Sequence, residues 1–311
     1  MAELVDALGL GPSGATRESS SLSVRTINMM NFLHNFQPNS ILISFGNITI
    51  YWYGFFMMVA ISVGLLITIY LAKKYKISTN NIIDLAFWVI LFGIIGARLY
   101  ELNIDFNYYQ NNPLAIFKVW EGGLAIHGAI IGGLLTLFFY SKQIAKQNNK
   151  KISTTFWNLI SIIVPGLALG QFIGRWGNYF NQELFGLPSS APWAIPIDIM
   201  NRPINFISET YFHPTFLYES IGSLIIFIIL FSWHLYILKR KKFSTAIFIR
   251  ITSLYLFLYS VLRFSLEYLR IDPTLIIGYW RWPQIISIII IIISIFLYIY
   301  SYNKKTIDQN N

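Results

Sequence analysis

Seven apolar runs of about twenty residues, separated by short polar connections, restrict this chain to one kind of architecture. They fall at about 48–71, 82–102, 122–141, 155–175, 214–238, 244–265 and 283–302. Each matches the roughly 20 apolar residues that an α-helix needs to cross a bilayer. Inside hydrocarbon, every backbone N–H and C=O must find its partner within the protein, which selects helices over exposed strands or loops. The expected fold is therefore an all-α integral membrane protein. It is a bundle of seven transmembrane helices with a long external loop region between spans four and five, at about 176–213. Loops of that length are often functional. Charged residues make up 12% of the chain, against roughly 25% in a soluble domain.

The basic residues set the direction of the spans. Clusters follow span one (K-K-Y-K, 73–76), span three (Lys142, Lys146, Lys150, Lys151), span five (K-R-K-K, 239–242) and span seven (Lys304, Lys305). The alternate connections lack such clusters. The positive-inside rule then places the C-terminus in the cytoplasm and the N-terminus outside. This pattern accounts for the net charge of +9 without invoking nucleic acid. The membrane domain is expected over 29–303, with a polar cytoplasmic tail at 304–311. Residues 1–26 contain no Ile, Asn, Lys or aromatic residue, whereas these types dominate from Ile27 onward. The leader 1–28 is expected to be disordered, a fusion or a mis-assigned start, with Met29 or Met30 as the true beginning.

Polar groups inside the spans carry the functional information. A charged residue at the centre of a span costs about 2.5–3.5 kcal/mol on insertion scales, so it is a functional candidate by default. Arg98 and Glu101 end span two, and His127 lies in span three about six residues from its external end. Arg175, Asn178, Asn181 and Glu183 close span four; Arg263 and Glu267 close span six. Taken singly, each has a structural explanation. Arg263 and Glu267 stand at i,i+4 and can pair along one helix face. Arg175 and Glu183 can pair across a turn, and His127 can be a packing residue. The glycines at 122, 123, 128, 132 and 133 suit close helix packing. Taken together, three arginines at one membrane level exceed what a packing bundle needs. Arginine presents a planar fork of donors that matches phosphate, so the expected ligand is an anionic phospholipid at headgroup depth. The chain has no cysteine and four histidines, which excludes a thiol nucleophile of its own and leaves little room for a metal cluster.

The stretch G-R-W-G-N-Y-F-N-Q-E-L-F-G, residues 174–186, resembles the signature of the prolipoprotein diacylglyceryl transferase family. Other segments are similar to that family in the same order: I-Y-W-Y-G at Tyr53, G-A-R-L-Y at Arg98, W-E-G-G-L-A-I-H-G at His127, H-P-T-F-L-Y-E opening span five, and R-F-S-L-E at Arg263 and Glu267. The resemblance covers about residues 40–303 and omits the leader. Two positions depart from the family pattern. Ser161 stands where an aspartate is frequent, which leaves any role of that aspartate without a carrier here, and Ala129 stands where a second glycine is usual.

The resemblance implies a bacterial cell-membrane enzyme that transfers the diacylglyceryl group of phosphatidylglycerol to the lipobox cysteine of a preprolipoprotein signal peptide. A thioether forms and glycerol 1-phosphate leaves. The substrate brings the thiol, in keeping with a chain that has none. In that reading Arg175 and Arg263 hold the phosphate and stabilise its departure, and His127 is the general base or orients the thiol. Glu267 and Glu183 orient the arginines. Asn178, Asn181 and Gly186 shape the headgroup pocket, Arg98 adds to phosphatidylglycerol binding, and Tyr53 and Tyr259 supply hydroxyls. No metal or soluble cofactor is implied. A transporter would also carry buried charges but often shows internal repeats, and none stands out here. A membrane scaffold would not need the arginine–asparagine–glutamate cluster.

Overall fold

The computed structural model describes residues 33–309, apart from 47, 120, 121 and 242, with the backbone alone at 48 and 303–309. The leader 1–28, Met29 and Met30 lie outside the described residues, as do Trp120, Glu121, Lys242 and the side chains of Lys304 and Lys305.

A hairpin of β1 (Ile41–Phe45) and β2 (Ile48–Tyr51) leads into α1 (Trp52–Lys74) and α2 (Thr79–Ile104). The short α3 (Phe106–Asn111) precedes α4 (Ile126–Gln147) and α5 (Ile152–Phe180). A loop with two paired segments, β3 (Ile195–Pro196) and β4 (Tyr211–Phe212), connects α5 to α6 (Thr215–Arg240). α7 (Thr245–Glu267) and a second hairpin, β5 (Ile276–Ile277) with β6 (Trp280–Arg281), lead to α8 (Trp282–Gln309). Seven of these helices are long and apolar enough to cross a membrane, as the hydropathy pattern predicts.

Several span boundaries differ from expectation; span three, for one, runs on to Gln147 rather than 141, so Lys142 and Lys146 are helical. Span one begins at Trp52 rather than 48, because 48–51 pair with β1 across a turn in which Gly46 has φ +56°. β-branched Thr49 and Ile50 suit a strand. Span three begins at Ile126 rather than 122: Gly122 (φ +93°) and Gly123 (φ +67°) are left-handed and stand outside the helix. His127 is thus the second residue of α4, at the very end of the span. Span four runs on to Phe180, so Asn178 is helical.

α5 is the central helix and packs against α1, α4, α6 and α7, while α2 pairs with α4 and α7 with α8. Lipid tails are as apolar as leucine, so helix association relies on close contact rather than on burial from water. A Cβ at Gly128 would overlap the Gly96 carbonyl, and one at Gly132 would overlap the Phe92 carbonyl. Only glycine lets the α2 and α4 backbones meet in this way. The expected glycine series therefore splits: Gly128 and Gly132 pack helices, whereas Gly122 and Gly123 shape a loop.

Proline at Pro165 interrupts α5 and withholds the N–H that the Ser161 carbonyl would accept. His234 of α6, fully buried, donates from Nε2 to that carbonyl at 2.8 Å and receives the Tyr75 hydroxyl on Nδ1 at 2.8 Å. These partners fix the tautomer of the imidazole. The Ser161 hydroxyl turns back to the Asn158 carbonyl at 2.8 Å, so the residue that departs from the family pattern is absorbed in α5.

Candidate active site

Chain direction gathers the polar residues at one end of the bundle. The starts of α1, α4, α6 and α8 lie there with the ends of α2, α5 and α7, while the basic last turns of α1, α4 and α6 lie at the other. Arg175 and Asn178 stand three residues apart on α5, and Arg175 Nη1 donates to Asn178 Oδ1 at 3.3 Å. Arg175 Nη2 pairs with Glu219 Oε1 of α6 at 2.5 Å. The same oxygen accepts the Tyr259 hydroxyl at 3.1 Å, and Glu219 Oε2 faces Arg270 Nη1 at 3.4 Å. One carboxylate, 1% exposed, thus holds two arginines and a tyrosine.

A second unit adjoins it. Tyr259, Arg263 and Glu267 follow one another at i,i+4 along one face of α7. Glu267, also 1% exposed, pairs with Arg263 Nη1 and with Arg281 Nε, the latter at 2.8 Å. Arg281 ties the ends together through the carbonyls of Arg270 and Asp272, and Arg270 Nε pairs with Asp272 at 2.7 Å. Four arginines (175, 263, 270, 281) meet three carboxylates (219, 267, 272). This pairing offsets part of the several kcal/mol per ion that desolvation costs. The arginines are not equally buried. Arg270 is enclosed at 4% side-chain exposure, while Arg175, Arg263 and Arg281 remain 21%, 20% and 22% exposed. Arg175 and Arg263 are each anchored on a buried carboxylate and keep part of the side chain exposed.

Glu183 does not pair with Arg175 across the turn. It accepts from Asn178 Nδ2 at 2.7 Å and from Asn181 Nδ2 at 3.5 Å, and so orients the amides rather than the guanidinium. Glu183 and Asn181 also border a cleft of about 530 Å³ with Tyr51, Tyr53 and Gly54 at the start of α1. Tyr53 packs against Gly177, where any Cβ would press on its ring. Gly186 has a different task. Its N–H donates to the His213 carbonyl at 2.9 Å, and a Cβ there would press on the Leu269 carbonyl and the Thr215 side chain. It lets the α5–α6 loop lie against the chain leaving α7.

Two expected residues stand apart from the arginine network. Arg98, buried in α2, donates to the Tyr109 hydroxyl (2.7 Å) and to the carbonyls of Gly123 (2.9 Å) and Lys118 (2.6 Å). These bonds close the α2–α4 connection. His127 is exposed at the start of α4, with its ring 5.6 Å from that of Tyr100. It has no hydrogen bond to the described residues of the network. Conversely, the sequence reading passed over Glu219, Arg270, Asp272 and Arg281. Glu219 had a usable signal: a carboxylate in the second turn of an otherwise apolar span. Among the described residues, no three His, Asp or Glu side chains converge as a metal site would require.

The model of the family described as prolipoprotein diacylglyceryl transferase matches residues 40–300, a range that contains every residue of this network. Three relatives carry the name phosphatidylglycerol–prolipoprotein diacylglyceryl transferase. The one from Synechocystis is 40% identical over 259 residues, covering 83% of this chain and 87% of its own. The one from Nostoc is 39% identical over 254 residues, covering 81% and 85%. A Prochlorococcus marinus relative is 42% identical over 258 residues, covering 78% and 82%. With the matched range reaching into all seven spanning helices and holding the whole arginine–carboxylate network, this chain belongs to the prolipoprotein diacylglyceryl transferase family.

Proposed function

We propose that this protein transfers the diacylglyceryl group of phosphatidylglycerol to the lipobox cysteine of a preprolipoprotein, at the outer face of the bacterial cell membrane. The lysine-rich end then faces the cytoplasm, and the arginine end faces outward. The thiol sulfur attacks C3 of the diacylglyceryl unit, and the S–C3 bond forms as the C3–O bond breaks. Glycerol 1-phosphate departs with both electrons of that bond, and the thiol proton passes to a base.

The observation that carries this reading is the pair of half-open arginines, Arg175 and Arg263, each anchored on one edge by a buried carboxylate. A diester becoming a monoester dianion gains negative charge, and fixed guanidinium donors stabilise that gain without reorganising. One such donor is worth about 2.7–4 kcal/mol in comparable sites. Glu219 and Glu267 hold the two forks in place, and Arg270 and Arg281 pair with the same carboxylates. Asn178, Asn181 and Glu183 offer amide and carboxylate groups to the glycerol hydroxyls, with Tyr53 across the cleft. Tyr259 sets the position of Glu219. A free thiol has a pKa near 8.5, so only a few per cent is thiolate at neutral pH. His127, exposed at the same end, is the proposed base. Arg98 serves binding indirectly, by fixing the loop that leads to His127.

The test is direct. Purified protein is incubated with phosphatidylglycerol and a lipobox peptide, and glycerol 1-phosphate is measured. Release that requires both the peptide thiol and Arg175 is the expected result. Release that persists with a Cys→Ser peptide indicates a phospholipase C-type hydrolysis to diacylglycerol, and no release from folded protein indicates a lipid-binding member without the chemistry.

A further inference from the structure

The end of the bundle opposite the arginine network holds a cavity of about 1500 Å³. Lys74, Lys76, Lys150, Lys241 and Arg250 line it, and no carboxylate does among the described residues. Part of its wall is apolar, with Leu159, Leu238 and Phe248 among others. The first turns of α5 and α7 also face it, through Thr154, Thr155, Thr245 and Ala246. Helix N-termini direct unpaired N–H groups and a partial positive charge at whatever occupies the space before them.

Topology alone accounts for lysines on this side, and helix C-termini account for those in the last turns. Neither accounts for Arg250. It lies in the second turn of α7, where neither a helix C-terminus nor a connecting loop calls for a cation. Its Nε donates to Ser301 at 3.1 Å, and its guanidinium faces the rings of Tyr298 and Tyr302 at 5.8 and 5.2 Å. Nη2 is buried and has no hydrogen-bond partner among the described residues. This guanidinium is fixed against α8 while the residue also lines the cavity. Five cations, two helix N-termini and an apolar wall together specify an amphipathic anion.

We propose that this cavity binds the phosphate of an anionic lipid drawn from the leaflet at the lysine-rich end. Arg250 and the lysines hold the phosphate, and the apolar wall takes the adjoining part of the acyl chains. The site is separate from the transfer reaction and does not rest on it. Phosphate oxygens are the shared chemistry, and a soluble phosphate would meet the same cations; the apolar wall favours the lipid.

Native mass spectrometry of the detergent-purified protein, titrated with dioctanoyl phosphatidylglycerol, resolves successive bound lipids and their affinities. The double variant Lys150→Gln, Lys241→Gln should weaken one binding step by about tenfold or more, since a basic residue near an anionic lipid contributes on the order of fivefold. Both lysines are exposed, so folding should survive. Arg250→Gln should weaken the same step, while Arg175→Ala should leave that step intact and affect another. Dioctanoyl phosphatidylcholine should not fill it. All steps unchanged within twofold in both cavity variants, or equal filling by phosphatidylcholine, overturns the proposal. Displacement of the bound lipid by about 10 mM inorganic phosphate overturns the lipid assignment in favour of a soluble anion. Failure of glycerol phosphate release, with this binding pattern intact, bears on the transfer reading alone.

Discussion

Arg98 and Arg175 occupy similar places in the chain. Each follows a small residue near the end of a spanning helix, at the same end of the bundle. Their surroundings divide them. Arg98 is 6% exposed and gives its terminal nitrogens to a tyrosine hydroxyl and two loop carbonyls. Its partners are neutral, local and complete a connection between two helices. Arg175 meets a buried carboxylate shared with Arg270 and Tyr259, and 21% of its side chain remains open. An arginine bound to backbone carbonyls has its terminal donors committed to folding. An arginine set against a carboxylate is positioned and charge-balanced, yet keeps part of its side chain exposed to an incoming anion. The type of partner therefore separates a structural arginine from one able to meet substrate.

That contrast can be broken most decisively at the open arginines. Arg263→Ala or Arg175→Ala should lower glycerol phosphate release by at least about 10²–10³-fold, the range found when one preorganised donor is removed. Near-normal turnover from either variant would remove the half-open pair from the chemistry. His127→Gln should follow, with turnover down by about 10²-fold or more if the imidazole acts as base. Phosphatidylglycerol binding should change by less than about threefold, because His127 stands outside the arginine network. An unchanged rate would pass the proton to another group.

The sequence announced the membrane architecture more fully than the site. Hydrophobic length has one reading in a bilayer, so seven helices follow from seven apolar runs. Local boundaries are weaker. Residues 48–51 are apolar enough to extend span one, yet their β-branched character and the preceding glycine turn favour a hairpin. Gly122 and Gly123 looked like packing glycines until their left-handed backbone placed them in a loop. In the site, the i,i+4 spacing of Arg263 and Glu267 was sufficient to read a pair. Pairing between α5 and α6 was not readable, because nothing in a linear chain says that Glu219 lies against Arg175 rather than Glu183. Arg270, Asp272 and Arg281 sit in a connection where charge is ordinary, and only the turn of β5 and β6 carries Arg281 back to Glu267. Long-range partners decide these roles, and hydropathy is blind to them.

The smaller effects test the other half of the contrast. Arg98→Ala leaves the buried Tyr109 hydroxyl without this donor and frees the Lys118 and Gly123 carbonyls, and a buried polar group left unpaired costs about 1–3 kcal/mol. The expected result is a clear fall in the thermal unfolding midpoint, with turnover per folded molecule kept within about fivefold. Tyr109→Phe removes one partner and leaves the two carbonyl bonds in place, so it should cost only about 1 kcal/mol and leave turnover unchanged. The pair is informative because the two variants should share a direction in stability and differ in size, with little movement in rate. If Arg98→Ala instead abolished turnover at an unchanged midpoint, its donors would be reaching substrate. Arg98 and Arg175 would then be equivalent, and neutral partners would no longer mark an arginine as structural in this bundle.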